Sequence, residues 1–241
     1  MKFFNFHLMP YRHADLDAIA KNGSAWVTFS NRHYDPQKGA ELYHDYLDQM
    51  EFADKLGFDG VCLNEHHQTA YGMMPIPGVL AGALARSVKR AKLAILGRAL
   101  PLLNNPLMVA EEYAILDNLT RGRLVAGLNY FLKMPTEMLL PPGYTDPASM
   151  KRVRAAKVTG KPQSIEDVIK AGVVIVGSPN TVREKLAEYQ DLAGFNTSLT
   201  KTQFGTLPND MTRANMTAIA EEILPHFRDR HPQGARREAA E

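Results

Sequence analysis

Five consecutive polar residues, Asn64-Glu65-His66-His67-Gln68, follow directly on the apolar run at 60–63. If that run is a buried strand, these groups stand at its end in a partly desolvated setting. Histidine there can hold a near-neutral pKa and act as acid or base, and a neighbouring carboxylate can orient it. The same Glu-His pair also reads as an internal hydrogen-bonded network, and both readings stand at this level. A metal site is not expected. Adjacent residues on an extended segment point to opposite sides, so His66 and His67 do not readily grip one ion. There is no HExxH and no second carboxylate-histidine cluster. Polar or small residues also follow the other apolar runs: His7 and Met9, then Ala99-Leu100-Pro101 with Asn104-Asn105, then Gly127. Other chemistry finds no support: GxGxxG after a strand, Walker A and GxSxG are all missing. Cys62 lies within an apolar run and reads as a small core residue. Gly177-Ser178-Pro179 could greet a phosphate at a helix N-terminus, but it is also an ordinary Ser cap followed by Pro. Trp26 and Tyr34 could line a pocket, or simply pack.

The elements that must position these residues alternate. Strands are predicted over 3–8, 60–63, 92–102 and 123–128. Helices are predicted over 41–56 (Leu42, Tyr46, Met50, Ala53 and Leu56 on one face, Gly57 as C-cap), 77–88 and 106–119. Short apolar strands alternating with helices imply a parallel sheet covered on at least one face. In such folds function gathers at the C-terminal strand ends. The alternation stops after Leu128. Residues 129–163 contain Pro141-Pro142-Gly143 and six basic residues (Lys133, Lys151, Arg152, Arg154, Lys157, Lys161), and read as an irregular excursion or lid. A short helix over 164–171, an apolar run at 173–176, a helix from Ser178 to Gly194, a possible strand over 197–204 and a helix over 212–228 follow. The expected organisation is 1–128 as N-terminal βα units, 129–163 as the excursion, 164–228 as C-terminal βα elements and 229–241 as a flexible tail.

Composition excludes several classes. The chain has 241 residues, 45% of them hydrophobic, a formal net charge of +2 and one Cys. That does not suit a disordered chain, a disulfide framework or a Cys-rich zinc module. No apolar run approaches the ~20 residues of a membrane span. Polar residues interrupt the first segment where a secretory signal would be apolar, so a cytoplasmic protein is expected. The basic excursion lacks interleaved aromatics, so no nucleic-acid partner is expected.

Together these residues resemble the bacterial luciferase-like flavin-dependent monooxygenases. The likeness runs through Phe6-His7-Leu8-Met9-Pro10, Tyr34-Asp35-Pro36, Ala53-Asp54-Lys55-Leu56-Gly57-Phe58-Asp59-Gly60 and Asn64-Glu65-His66-His67. It continues through residues 96–102, Asn105-Pro106, Ala110-Glu111-Glu112-Tyr113 and residues 116–124. Val176-Gly177-Ser178-Pro179 and Ile223-Leu224-Pro225-His226-Phe227 extend it to the C-terminal part. The resemblance implies a TIM-barrel-like α/β fold with parallel strands and outer helices. It also implies reduced FMN, supplied by a separate flavin reductase, and O2 as co-substrate. A flavin C4a-peroxide would then oxidise a small organic substrate. Carried over by position, His66 matches the family's active-site histidine and Glu65 would orient it. Ala99 would lie beneath the isoalloxazine, His7 and Asn104 would line the pocket, and Gly127 joins them as cofactor-binding.

The sequence departs from the family after Leu124-Val125-Ala126-Gly127, where Leu128-Asn129-Tyr130-Phe131 replaces the usual continuation. The middle strands and helices are missing, and part of the family's phosphate grip with them. The expectation is an incomplete barrel, with a homodimer covering its open edges. An alternative is a shortened, catalytically inactive flavin-binding or assembly protein; a deazaflavin-dependent branch would need the same missing region.

Overall fold

The structure, a computed structural model, describes residues 1–22, 25, 29–67, 69–100, 105, 107–129, 164–170, 172 and 174–231. Trp26, Gln68, Asn104, the excursion from residue 130 to 163 and the tail from residue 232 lie outside the described residues.

Five parallel strands form one sheet in the order β4-β3-β2-β1-β5. They are β1 (Lys2–Phe6), β2 (Gly60–Leu63), β3 (Lys92–Ala99), β4 (Leu124–Asn129) and β5 (Thr197–Thr200). The helices are α1 (Leu16–Asn22), α2 (Pro36–Leu56), α3 (Pro77–Leu84), α4 (Leu107–Thr120), α5 (Ile165–Lys170), α6 (Pro179–Ala193), α7 (Asn209–Ala218) and α8 (Leu224–Phe227). The last strand lies beside the first, as ring closure would place it, and among the described residues β4 and β5 remain open edges. This is the incomplete α/β barrel expected from the sequence. No helix among the described residues is long and apolar enough to cross a membrane.

Strand alternation divides the sheet into two faces. Phe3, Asn5 and His7 turn toward the helices. Phe3 meets Phe227 edge-on at 6.2 Å, and His7 packs against Tyr46 of α2 at 4.7 Å. Phe4 and Phe6 turn to the inner face of the partial barrel and are half-buried. A Cβ on Gly60 would lie 2.3 Å from the Phe4 ring, so only glycine lets that ring lie across β2. Across the register, Leu199 pairs with Phe4 and shares its face, where it is 55% exposed. Cys62 is fully buried in β2 and burial pushes its thiol up to about 12, which suits a core residue.

The segment that carries much of the family likeness joins strand to helix. Gly57 ends α2 at φ +96°, a left-handed cap that glycine adopts without strain. Burial pushes the Asp54 carboxyl up. Backbone N–H groups of Lys89, Ala91 and Arg90, at 2.9, 2.6 and 3.1 Å, outweigh that and hold it below its usual range. Asp59 accepts from the Phe3 N–H at 2.9 Å and from Lys2 at 3.0 Å, tying β1 to the α2–β2 turn.

Boundaries differ from the sequence reading in instructive places. Helix α2 starts at Pro36, not 41, because Asp35 caps it, accepting from Gln37 and Lys38, and Pro36 takes the first turn. Helix α1 falls in a segment read as polar loop, and it buries no residue. The predicted strand over 197–204 shortens to β5. The predicted helix over 212–228 begins at Asn209 and is interrupted by a π-turn, Ile219–Ile223. Pro225 lacks the N–H that would bond back along the helix, and Leu224 reaches five residues back to the Ile219 carbonyl.

Candidate active site

The C-terminal ends of β1, β2, β3 and β5 converge on one end of the sheet. After β2 the chain turns back over the end of β1: the Met73 N–H donates to the Met9 carbonyl at 2.7 Å and the Tyr11 N–H to the Ala70 carbonyl at 3.1 Å. The His66 N–H donates to the Met74 carbonyl at 3.1 Å. Met9 takes a positive φ of 48° within this clamp, an uncommon conformation for a residue with a side chain. Gly72 closes the turn, and a Cβ there would sit 2.8 Å from the His66 ring and 3.0 Å from the Leu8 carbonyl.

His66 is half-buried and lines a cavity of about 330 Å³ with Tyr34, Tyr43, Thr69 and Met73. Its ring stands perpendicular to that of Tyr71, 5.2 Å away. Burial lowers its pKa below the usual histidine value. The His67 and Lys201 charges act in the same sense, and Glu65 opposes them. The neutral ring can therefore accept a proton at neutral pH.

Glu65 and His67 form a second group. The Glu65 carboxylate, 2% exposed, accepts from His67 Nε2 at 2.6 Å and from Arg98 Nη1 at 3.0 Å. Arg98, at the C-terminal end of β3, is 7% exposed on its side chain. This cation escaped the sequence reading. Its signal was a single arginine near the end of the otherwise uncharged stretch Leu93–Ala99. The Glu65 carboxylate thus spans His67 and Arg98, and its charge reaches His66 as well.

His7 is placed differently from the pocket-lining position implied by the resemblance. It is 1% exposed and lies between β1 and α2. The Met9 N–H donates to His7 Nδ1 at 2.9 Å, so Nε2 carries the proton and donates to Gln49 Oε1 at 2.9 Å. Gln49 Nε2 donates to Asn209 Oδ1 at 2.8 Å, and Asn209 Nδ2 to Asp45 at 3.3 Å. Asp45 in turn pairs with Arg12. Burial lowers the His7 pKa to about 4, partly opposed by the Gln49 bond. Asn64 is buried beside it, donating to the His7 carbonyl at 2.6 Å, and its Oδ1 has no hydrogen-bond partner.

Ala99 is the last residue of β3. Gly127 lies in β4 opposite the β3 irregularity between Ile95 and Arg98. A Cβ there would meet the Ile95 carbonyl at 2.6 Å, so strand packing already accounts for the glycine. At Ser178 the hydroxyl accepts from the Thr181 N–H at 3.3 Å, the plain helix cap of the two sequence readings. Among the described residues no cluster of three or more His, Cys, Asp or Glu could hold a metal ion.

Beside the His66 cavity, across Tyr34 and Ala70, lies an apolar cavity of about 260 Å³ under the 11–34 segment, with Tyr71 and Lys201 also in its wall. A larger one of about 680 Å³ runs along the open edge between β5, α6 and α7.

Residues 24–129 match the family described as luciferase-like monooxygenase. Over 84 residues, 35% of this chain, the sequence is 34% identical to limonene 1,2-monooxygenase of Rhodococcus erythropolis, of which 21% is covered. Over 109 residues, 45% of this chain, it is 29% identical to the alkanal monooxygenase beta chain of Vibrio harveyi, of which 32% is covered. The matched part thus spans a fifth to a third of these relatives' length. The crystal structure of the monooxygenase RslO1 from Streptomyces bottropensis superposes with a TM-score of 0.61. That match is 17% identical and covers 94% of this chain and 100% of the other, so the two share a fold.

Proposed function

We propose that this chain, whose residues 24–129 match the luciferase-like monooxygenase family, is an FMN-dependent monooxygenase acting on a small organic substrate. The observation that carries the reading is His66: a half-buried histidine, its pKa lowered by burial, on a cavity at the C-terminal strand ends. By the sequence resemblance it takes the position of the family's active-site histidine.

The residues present fit the ring end of the flavin. The inner sheet face carries half-buried Phe4 and Phe6, the orphaned Asn64 Oδ1 lies buried at the end of β2, and His66, its pKa lowered by burial, follows two residues on. Two candidate phosphate-binding groups are already taken: Arg98 is engaged by Glu65 and the α6 cap is closed by Ser178. When bound, reduced FMN would supply the O2-activating chemistry, and a separate flavin reductase would deliver it. The protein's part is to hold the ring with His66 and Ala99, to exclude water through the turn around Gly72, and to accept or return a proton at the His66 ring. Glu65 is a positioning residue, holding the strand end through Arg98 and His67.

The open sheet favours a second proposal, a homodimer. Leu199 and Val125, on the inner face at the two edges, are 55% and 37% exposed, and a second copy would bury them. Light scattering that gives a monodisperse monomer would remove it.

Titration of oxidised and reduced FMN into the purified chain, read by flavin absorbance, tests the function. Binding of reduced FMN followed by substrate-dependent O2 consumption is expected. Failure to bind either form would refute the enzyme reading.

A further inference from the structure

The apolar cavity of about 260 Å³ and the lysine in its wall carry an inference about the substrate. The cavity lies under the segment between β1 and α2 and is lined by Leu8, Tyr11, Phe29, Tyr34 and Tyr71. No carboxylate lines it among the described residues. An apolar cavity of ~150 Å³ holds one benzene ring, so this one suits about ten ring carbons. That is too little for the flavin ring system with its side chain. Four aromatic side chains in the wall favour a flat aromatic occupant, through face and edge contacts.

Lys201 gives this site an ammonium, beside the polar Ser30, Asn31, His33 and Thr206 of the wall. It directly follows β5, whose register pairs Leu199 with Phe4 and Thr200 with Asn5. Lys201 lines both this cavity and the larger one beside β5. Its ammonium lies 4.8 Å from the centre of the Phe204 ring, and among the described residues no carboxylate pairs with it. Partial burial lowers its pKa, as expected for an ammonium whose charge lacks a nearby anion. Its charge also reaches the His66 ring, which places the two in the same end of the sheet.

We propose that this cavity is the subsite for a small aromatic acid, its rings held by the aromatic wall and its carboxylate paired with Lys201. The binding claim is independent of flavin; only the claim that this acid is the oxidised substrate rests on the proposed function. A half-buried ammonium without an anion is poorly solvated, and a ligand carboxylate supplies the missing partner. Lys201 is then the specificity-determining residue, and it directly follows the strand that closes against β1.

The test uses the full-length, flavin-free chain with 2-naphthoate and 2-naphthalenemethanol, which share ring size and differ in charge. Isothermal titration calorimetry should show the acid binding about tenfold more tightly than the alcohol, the scale of one charge-assisted hydrogen bond. Lys201→Met should abolish that preference while leaving alcohol affinity within about twofold, and Lys201→Arg should retain it. Matching thermal unfolding of the variants excludes a folding defect. Equal affinity for acid and alcohol in the unaltered chain would overturn the proposal. So would unchanged naphthoate binding in Lys201→Met. A variant that loses FMN but not riboflavin binding, with naphthoate binding intact, would assign the cation to the flavin phosphate and likewise overturn it. Absence of FMN binding with naphthoate selectivity intact would refute the proposed function and leave this subsite standing.

Discussion

Replacing Arg98 by Met removes the cation from a carboxylate with almost no access to water. Glu65 is 2% exposed and Arg98 7%, with 3.0 Å between Oε2 and Nη1. Breaking such a pair from one side costs about 3–5 kcal/mol, because the remaining charge stays buried. His67 still donates to the other oxygen at 2.6 Å and is itself 39% exposed, so water and imidazole soften the loss. The expected cost is therefore at the lower end, about 3 kcal/mol, or a drop of roughly 6–12 °C in Tm for a chain of this size. Urea unfolding at pH 7, followed by circular dichroism, measures it. The double variant Arg98→Met with Glu65→Gln removes the stranded charge and should recover at least half of the loss. A single variant less than about 1 kcal/mol destabilised would refute the buried-pair argument, since that is the range of an exposed pair. A double variant no more stable than the single one would refute it as well.

Three further outcomes follow from the same geometry. His7 is depressed from 6.5 to about 4, so the stability it confers is complete above pH 6.5 and is lost as pH falls toward 4. The loss is on the order of 3 kcal/mol, and denaturant midpoints of His7→Gln across that window should lack this slope. Gly72→Ala forces a methyl to within 2.8 Å of the His66 ring and 3.0 Å of the Leu8 carbonyl. It should cost about 1–3 kcal/mol in thermal unfolding, and an unshifted Tm would show that the turn yields freely. His66→Ala should cut FMN-dependent turnover by about 10²–10⁴-fold at unchanged fold, and unaltered turnover would end its catalytic assignment.

Much of the scaffold was legible because its signals are local. The apolar spacing of Leu42, Tyr46, Met50 and Ala53 predicts the buried face of α2, and Gly57 its end. The short run 60–63 predicts an apolar strand, and all four of its residues are buried. Signals were also present but unread: Asp35-Pro36 is a cap with a first-turn proline, and it begins α2 five residues earlier than periodicity suggested. The partnership of Glu65 with Arg98 was not legible, because 33 residues separate them and only strand register brings them together. Register likewise decides that the last strand docks on the first, from the pairing of Lys2 with Thr197 to that of Asn5 with Thr200.

The sequence alone determines an alternation of parallel strands and covering helices, too few strands for a closed ring, and a polar cluster after β2. Its family likeness follows from the same residues, several of which, such as Asp54, Gly57 and Asp59, are there to join strand to helix. Only the tertiary structure decides which histidine faces a cavity. His7 and His66 both follow a strand, and the sequence reading brings both to the site, His66 as its catalytic histidine and His7 as a pocket-lining residue. Packing seals His7 between β1 and α2 with both ring nitrogens engaged, while His66 is left half-buried beside open space. The difference lies in which face each side chain takes when distant segments meet, and that is set by register and desolvation, which no local pattern encodes.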